Sequence, residues 1–82
     1  MKVLKFYADW CQPCKALSRT IESIGDVGIT IENVDIDENS ETAVKYGIRG
    51  VPTLVLVNDD GSEVRRRSGN MSEKDFKAFV AG

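Results

Sequence analysis

The spacing of apolar residues changes several times along the 82-residue chain, and each change marks an element. From Lys2 to Ala8 the chain is apolar and aromatic with few interruptions, the pattern of a strand covered on both faces. After Cys14 the period lengthens: Ala16, Leu17, Ile21 and Ile24 recur at helical spacing, and Gly25, Asp26 and Gly28 end the helix. Ile29, Ile31, Val34 and Ile36, with a phase slip near Asn33, predict a second strand over Ile29 to Ile36. Ser40 begins a short helical stretch through Tyr46, stopped by Gly47. Thr53 to Val57 is dense in β-formers, and Asn58-Asp59-Asp60-Gly61 is turn chemistry leading into Ser62 to Arg67, which makes a hairpin. Ser72, with Asp75 three residues on, starts a last helix carrying Phe76, Phe79 and Val80 on one face.

The order is strand, helix, strand, helix, strand, strand, helix, with no internal repeat or low-complexity tract. A right-handed crossover makes the first two strands parallel, and the hairpin completes a mixed four-stranded α/β sheet with helices on both faces. The first strand then delivers Cys11 and Cys14 to the sheet edge where open α/β sheets place their functional sites.

Length and composition narrow the class. A chain of 82 residues reads as one domain, residues 1–82, and buries only about 60% of its unfolded surface, so each large apolar residue matters. The apolar share of 41% with 29% charged residues fits a packed globular protein and argues against disorder. A net charge of -2 implies no general attraction to nucleic acid or anionic membranes. No stretch approaches the ~20 apolar residues of a membrane helix, and the run from Val3 to Ala8 is too short and interrupted for a signal peptide, so a cytoplasmic location is expected; a monomer is the expected state. There is no histidine, which removes the commonest general base and the commonest metal ligand.

Chemistry concentrates in Cys11-Gln12-Pro13-Cys14. Cys11 falls at or just before the first turn of a helix, where free N–H groups and the helix dipole favour a thiolate. Such placement can bring a thiol from ~8.5 to near or below 7. Cys14 is one turn deeper, within the roughly 4.4–6.8 Å Cα separation that a disulfide requires. Cys11 is therefore the expected nucleophile and Cys14 the resolving thiol. Pro13 fits the first turn, where its missing N–H costs nothing, and stiffens the loop. The competing readings are a surface disulfide or half of a zinc site, although the chain has no further soft ligands for zinc.

The blocks Ala8-Asp9-Trp10-Cys11-Gln12-Pro13-Cys14-Lys15 and Tyr46-Gly47-Ile48-Arg49-Gly50-Val51-Pro52-Thr53 resemble the two signature segments of the thioredoxin family. Weaker similarity runs from Lys2 to the last helix. The resemblance implies a minimal thioredoxin fold (β-α-β-α-β-β-α), without the additional strand and helix that usually precede the first strand, and closer in size to a glutaredoxin. It implies a cis Val51-Pro52 peptide facing the cysteines, with Trp10 and Gly69 flanking a substrate groove and the Val51 backbone offered to an extended segment. It also implies a protein-disulfide reductase that needs no cofactor beyond the Cys11–Cys14 disulfide. A flavin-dependent thioredoxin reductase would be its reductant, and ribonucleotide reductase would be among its disulfide-containing targets. Read from the residues alone, Pro52 marks a strand start or tight turn, Gly69 a turn, and Trp10 a core aromatic or, as expected beside a solvent-reaching thiol, a half-exposed ring.

Other readings stand beside this one. Arg65-Arg66-Arg67 suggests a glutathione carboxylate or nucleic acid, although an edge strand kept from pairing is the plainer account. The glutathione reading makes the chain a glutaredoxin-like reductase. A thioredoxin-fold binding module and a metal or cluster site shared by two chains are the readings outside that class. The chain also departs from the family: Lys5 stands where a buried acid is usual, and Asn33 replaces a lysine. Lys5 would either snorkel or pair with Asp35, Asp37 or Glu32, or else place an ammonium near Cys14 that stabilises its thiolate or, with its pKa depressed by desolvation toward ~7–8, accept the proton. Lys5 and Pro13 are thus the candidates for tuning thiol acidity, and removing the Lys5 ammonium is expected to lower the reduction potential.

Overall fold

The computed structural model describes residues 1–82, as β1 (Lys2–Tyr7), α1 (Gln12–Ile24), β2 (Thr30–Asp35), α2 (Ser40–Lys45), β3 (Thr53–Val57), β4 (Glu63–Ser68) and α3 (Glu73–Ala81). The strands form one mixed sheet in the order β2-β1-β3-β4. β1 runs parallel to β2, pairing Lys5 with Asn33 and Tyr7 with Asp35, and antiparallel to β3, pairing Lys5 with Leu54. β3 and β4 form the expected antiparallel hairpin.

Period-two alternation in β1 splits its side chains between two cores. Val3 joins Leu17 of α1 and Phe76 and Phe79 of α3 on one face. Leu4 and Phe6 join Ala43, Val34, Val55 and Val57 on the other, which α2 covers. Helices therefore lie on both faces, and β1 and β3 are buried through their centres. β2 and β4 are edges, which is why their patterns carry polar residues and why β2 is mostly exposed.

Two boundaries differ from the periodicity. α1 begins at Gln12 rather than Cys14, because its first turn is set by a cap at Cys11 rather than by apolar spacing. β2 is shorter than Ile29 to Ile36, ending at Asp35, whose carboxylate accepts from the Asp37 N–H at 2.8 Å and turns the chain. The arginine run is consumed within the fold. Arg65 donates to the Phe79 carbonyl at 2.9 Å, Arg66 pairs with Glu63 at 2.6 Å, and Arg67 reaches Asp75 at 3.4 Å.

Candidate active site

β1 ends at Tyr7, and the turn Ala8-Asp9-Trp10 is closed by the Cys11 N–H donating to the Ala8 carbonyl at 3.1 Å. Cys11 is extended (φ -93, ψ 105) and is the N-cap of α1. Its carbonyl accepts from the Lys15 N–H at 3.3 Å, and its Sγ accepts from the Cys14 N–H at 3.2 Å. Sulfur thus takes the place that a serine or aspartate oxygen fills at an ordinary cap. Gln12 and Pro13 occupy the first two helical positions, so the N–H that proline lacks is one that would have no partner.

The cysteines are joined as a disulfide, with Cα atoms 5.3 Å apart. Both are buried, Cys11 at 4% and Cys14 at 2% exposure, in a small cluster with Ala8 against which Tyr7, Ile36 and Val51 pack. Cys11 is more covered than an open helix terminus suggests, and Val51 of the facing loop is among the residues packed on its cluster.

That loop carries a cis Val51-Pro52 peptide. Thr53 anchors it by donating its hydroxyl to the Gly50 carbonyl at 2.7 Å, and the Gly69 N–H donates to the Pro52 carbonyl at 2.9 Å. Gly69 has φ 86, a conformation that favours glycine. Neither the N–H nor the carbonyl of Val51 has an intramolecular hydrogen bond. Beside it a groove of about 240 Å³ is lined by Trp10, Ile36, Val44, Ile48 and Val51, among others. The Trp10 ring is 68% exposed rather than half-covered, held at its edge by Nε1 donating to Asp37 at 3.0 Å.

Sequence reading does not single out Asp37, Val44 or Ile48 as part of this site. The parallel register of β2 on β1 is the signal that leads to Asp37, since it puts the ends of both strands at one sheet edge. Val44 carries the signal of a large apolar residue left 78% exposed.

Lys5 is 7% exposed, and its Nζ donates to the Ser18 hydroxyl on α1. It forms no ion pair with Asp35, Asp37 or Glu32, because its position in β1 turns it under α1 rather than toward the β2 terminus. Burial lowers its pKa below the ordinary lysine value, and the more distant Glu22 carboxylate opposes that shift.

The thioredoxin family model matches residues 1–82. The chain belongs to the thioredoxin family. Thioredoxin from Bacillus subtilis is 43% identical over 79 residues, covering 92% of this chain and 74% of that protein. Thioredoxin from Pseudomonas aeruginosa is 32% identical over 81 residues, covering 95% and 74%. Among solved structures, a mutant thioredoxin from Halobacterium salinarum matches with TM-score 0.85 and 39% identity over 95% of this chain and 69% of that one. Thioredoxin from Fasciola hepatica matches with TM-score 0.84 and 33% identity over 96% and 76%. The fold and the paired cysteines are those of a thioredoxin, and the chemistry is thiol-disulfide exchange with disulfide-containing proteins, sustained by a reductase. No group of three or more histidine, cysteine, aspartate or glutamate side chains is placed to hold a metal ion. No helix is long and apolar enough to cross a membrane.

Proposed function

We propose that the chain, acting as one domain, reduces protein disulfides through Cys11 as attacking thiol and Cys14 as resolving thiol. The observation that carries this reading is the cap: the Cys14 N–H points at Cys11 Sγ from 3.2 Å. A thiolate there gains the charge-assisted hydrogen bond and the positive end of α1, so Cys11 is the sulfur whose ionised form is favoured.

The reduced protein attacks with Cys11 thiolate, forming a bond to one substrate sulfur and releasing the other as thiolate. Cys14 then attacks Cys11 Sγ, breaks the mixed disulfide and leaves the substrate dithiol with the Cys11–Cys14 disulfide. Two electrons have passed to the substrate, and a reductase returns them. An extended substrate segment hydrogen-bonds to the unpaired Val51 N–H and carbonyl, adding a strand beside Pro52. Trp10 and Gly69 flank it. Flavin-dependent thioredoxin reductase is the proposed electron source and ribonucleotide reductase a candidate target, with the chain acting as a monomer in the cytoplasm. Arg65, Arg66 and Arg67 each have a partner within the fold, which weighs against the glutathione reading.

The test is trapping. Cys14→Ser should accumulate a mixed disulfide with a protein substrate, stable until dithiothreitol is added, while Cys11→Ser should accumulate none and lose turnover by at least ~1000-fold. Trapping by the Cys11→Ser chain instead would reverse the roles.

A further inference from the structure

One buried cation has no part in the scheme above. Lys5 sits at the middle of β1, beneath α1, with its Nζ bonded to Ser18. Ser18 lies four residues after Cys14, on the same helix face and one turn, ~6 Å, away. On the other side, Lys5 Nζ stands 5.9 Å from the centre of the Tyr7 ring, and Tyr7 itself packs on the cysteine cluster. The ammonium thereby lies between Ser18, one turn along α1 from Cys14, and Tyr7, which packs on the cysteine cluster.

Its surroundings leave the charge uncompensated at close range. A pocket of about 200 Å³ is lined by Lys5 and Tyr7 from β1, Ser18 and Glu22 from α1, and Asn33 from β2. Glu22 is the one carboxylate among these, and it makes no ion pair with Lys5. Tyr7 is held neutral, since burial and then the Asp35, Asp9 and Glu38 carboxylates raise its pKa. Asn33 supplies no charge. A negative charge arising on Cys14, the cysteine one turn before Ser18 on α1, is therefore a new partner that the redox cycle creates for Lys5.

We propose that Lys5, tethered by Ser18, is a positioning residue for the resolving step, its ammonium stabilising Cys14 as a thiolate once the disulfide opens. This rests on the reading of Cys14 as resolving thiol. Lys5 keeps its proton throughout. The Cys14 proton leaves to solvent, the thiolate attacks Cys11 Sγ, the Cys11 bond to substrate sulfur breaks, and that sulfur departs as thiolate. At an effective dielectric of about 20, a unit charge one turn away is worth roughly one to two pH units to the thiol.

The experiment titrates Cys14 by its ultraviolet thiolate absorbance in the Cys11→Ser chain, with Lys5, Lys5→Met, Lys5→Arg or Ser18→Ala. Lys5→Met should move the Cys14 titration upward by about one pH unit or more, and Lys5→Arg should restore most of the shift. Ser18→Ala, which keeps the charge but frees its tether, should move it in the same direction by less. Across the pH range where Cys14 ionises, a tenfold change should lower the potential of the otherwise wild-type Lys5→Met chain by ~30 mV. An unmoved Cys14 titration in both Lys5→Met and Ser18→Ala overturns the proposal, whatever happens to their stability. The trapping test on the parent chain stands apart, since it reports the cysteine roles whether or not Lys5 matters.

Discussion

Lys5 carries a folding cost as well as a chemical use. A buried ammonium without a close counter-ion is held at the expense of its hydration, and its folded pKa falls below the ordinary 10.5. Below the lowered value the side chain is charged in both the folded and unfolded chain, and the cost is present in full. Between that value and 10.5 the unfolded chain binds more protons, so stability rises with pH, and above 10.5 the cost is gone. Lys5→Met should accordingly be more stable than the parent at pH 7 in urea melts, an advantage that shrinks as pH approaches 10.5. An advantage that stays constant with pH would assign the gain to packing alone. The Lys5 substitution was legible as an anomaly in the sequence, but its partner was not. Asp35, Asp37 and Glu32 are near in pattern, whereas Ser18 and Glu22 reach Lys5 because α1 crosses over β1.

Elements here are bounded by caps as much as by periodicity. Ser72 is the N-cap of α3, its hydroxyl accepting from the Asp75 N–H at 3.1 Å, as the Ser72 and Asp75 spacing suggested. The reciprocal half of the motif is absent because the Asp75 carboxylate turns to Arg67 at 3.4 Å. Ser72→Ala should cost about 1 kcal/mol, read as a fall of roughly 4–8 °C in Tm, with disulfide exchange by the surviving folded chain unchanged. The start of α1 follows the same logic with a different atom. Cys11 caps through sulfur, so the residue that begins the helix is also the one whose ionised form the helix favours. Apolar spacing could not place that boundary, since Gln12 and Pro13 face solvent and leave no periodic mark.

For the whole molecule, one sheet with helices on both faces leaves a thin core in which a few side chains do most of the work. Phe76 is fully buried between α3 and the sheet, together with Val3, Leu17, Leu54 and Leu56. Phe76→Ala should cost about 3–5 kcal/mol, a large share of the ~5–15 kcal/mol available to a domain of this kind. Thermal melts should show Tm lowered by at least about 12 °C. A drop of only a few degrees would mean that α3 repacks into the space. The linear order of apolar periods, turn residues and caps was enough to determine seven elements, their sequence and the cysteine pair at a strand-to-helix junction, because these are local properties of backbone and side chain. Tertiary structure alone decided what faces that junction. The cis Val51-Pro52 loop, the Gly69 tie to Pro52, the Asp37 hold on Trp10 and the Ser18 tether of Lys5 join residues 13 to 40 positions apart or on different elements. Such contacts depend on sheet register and helix crossing, which no local pattern encodes, and the chemistry of the cysteines is set among them.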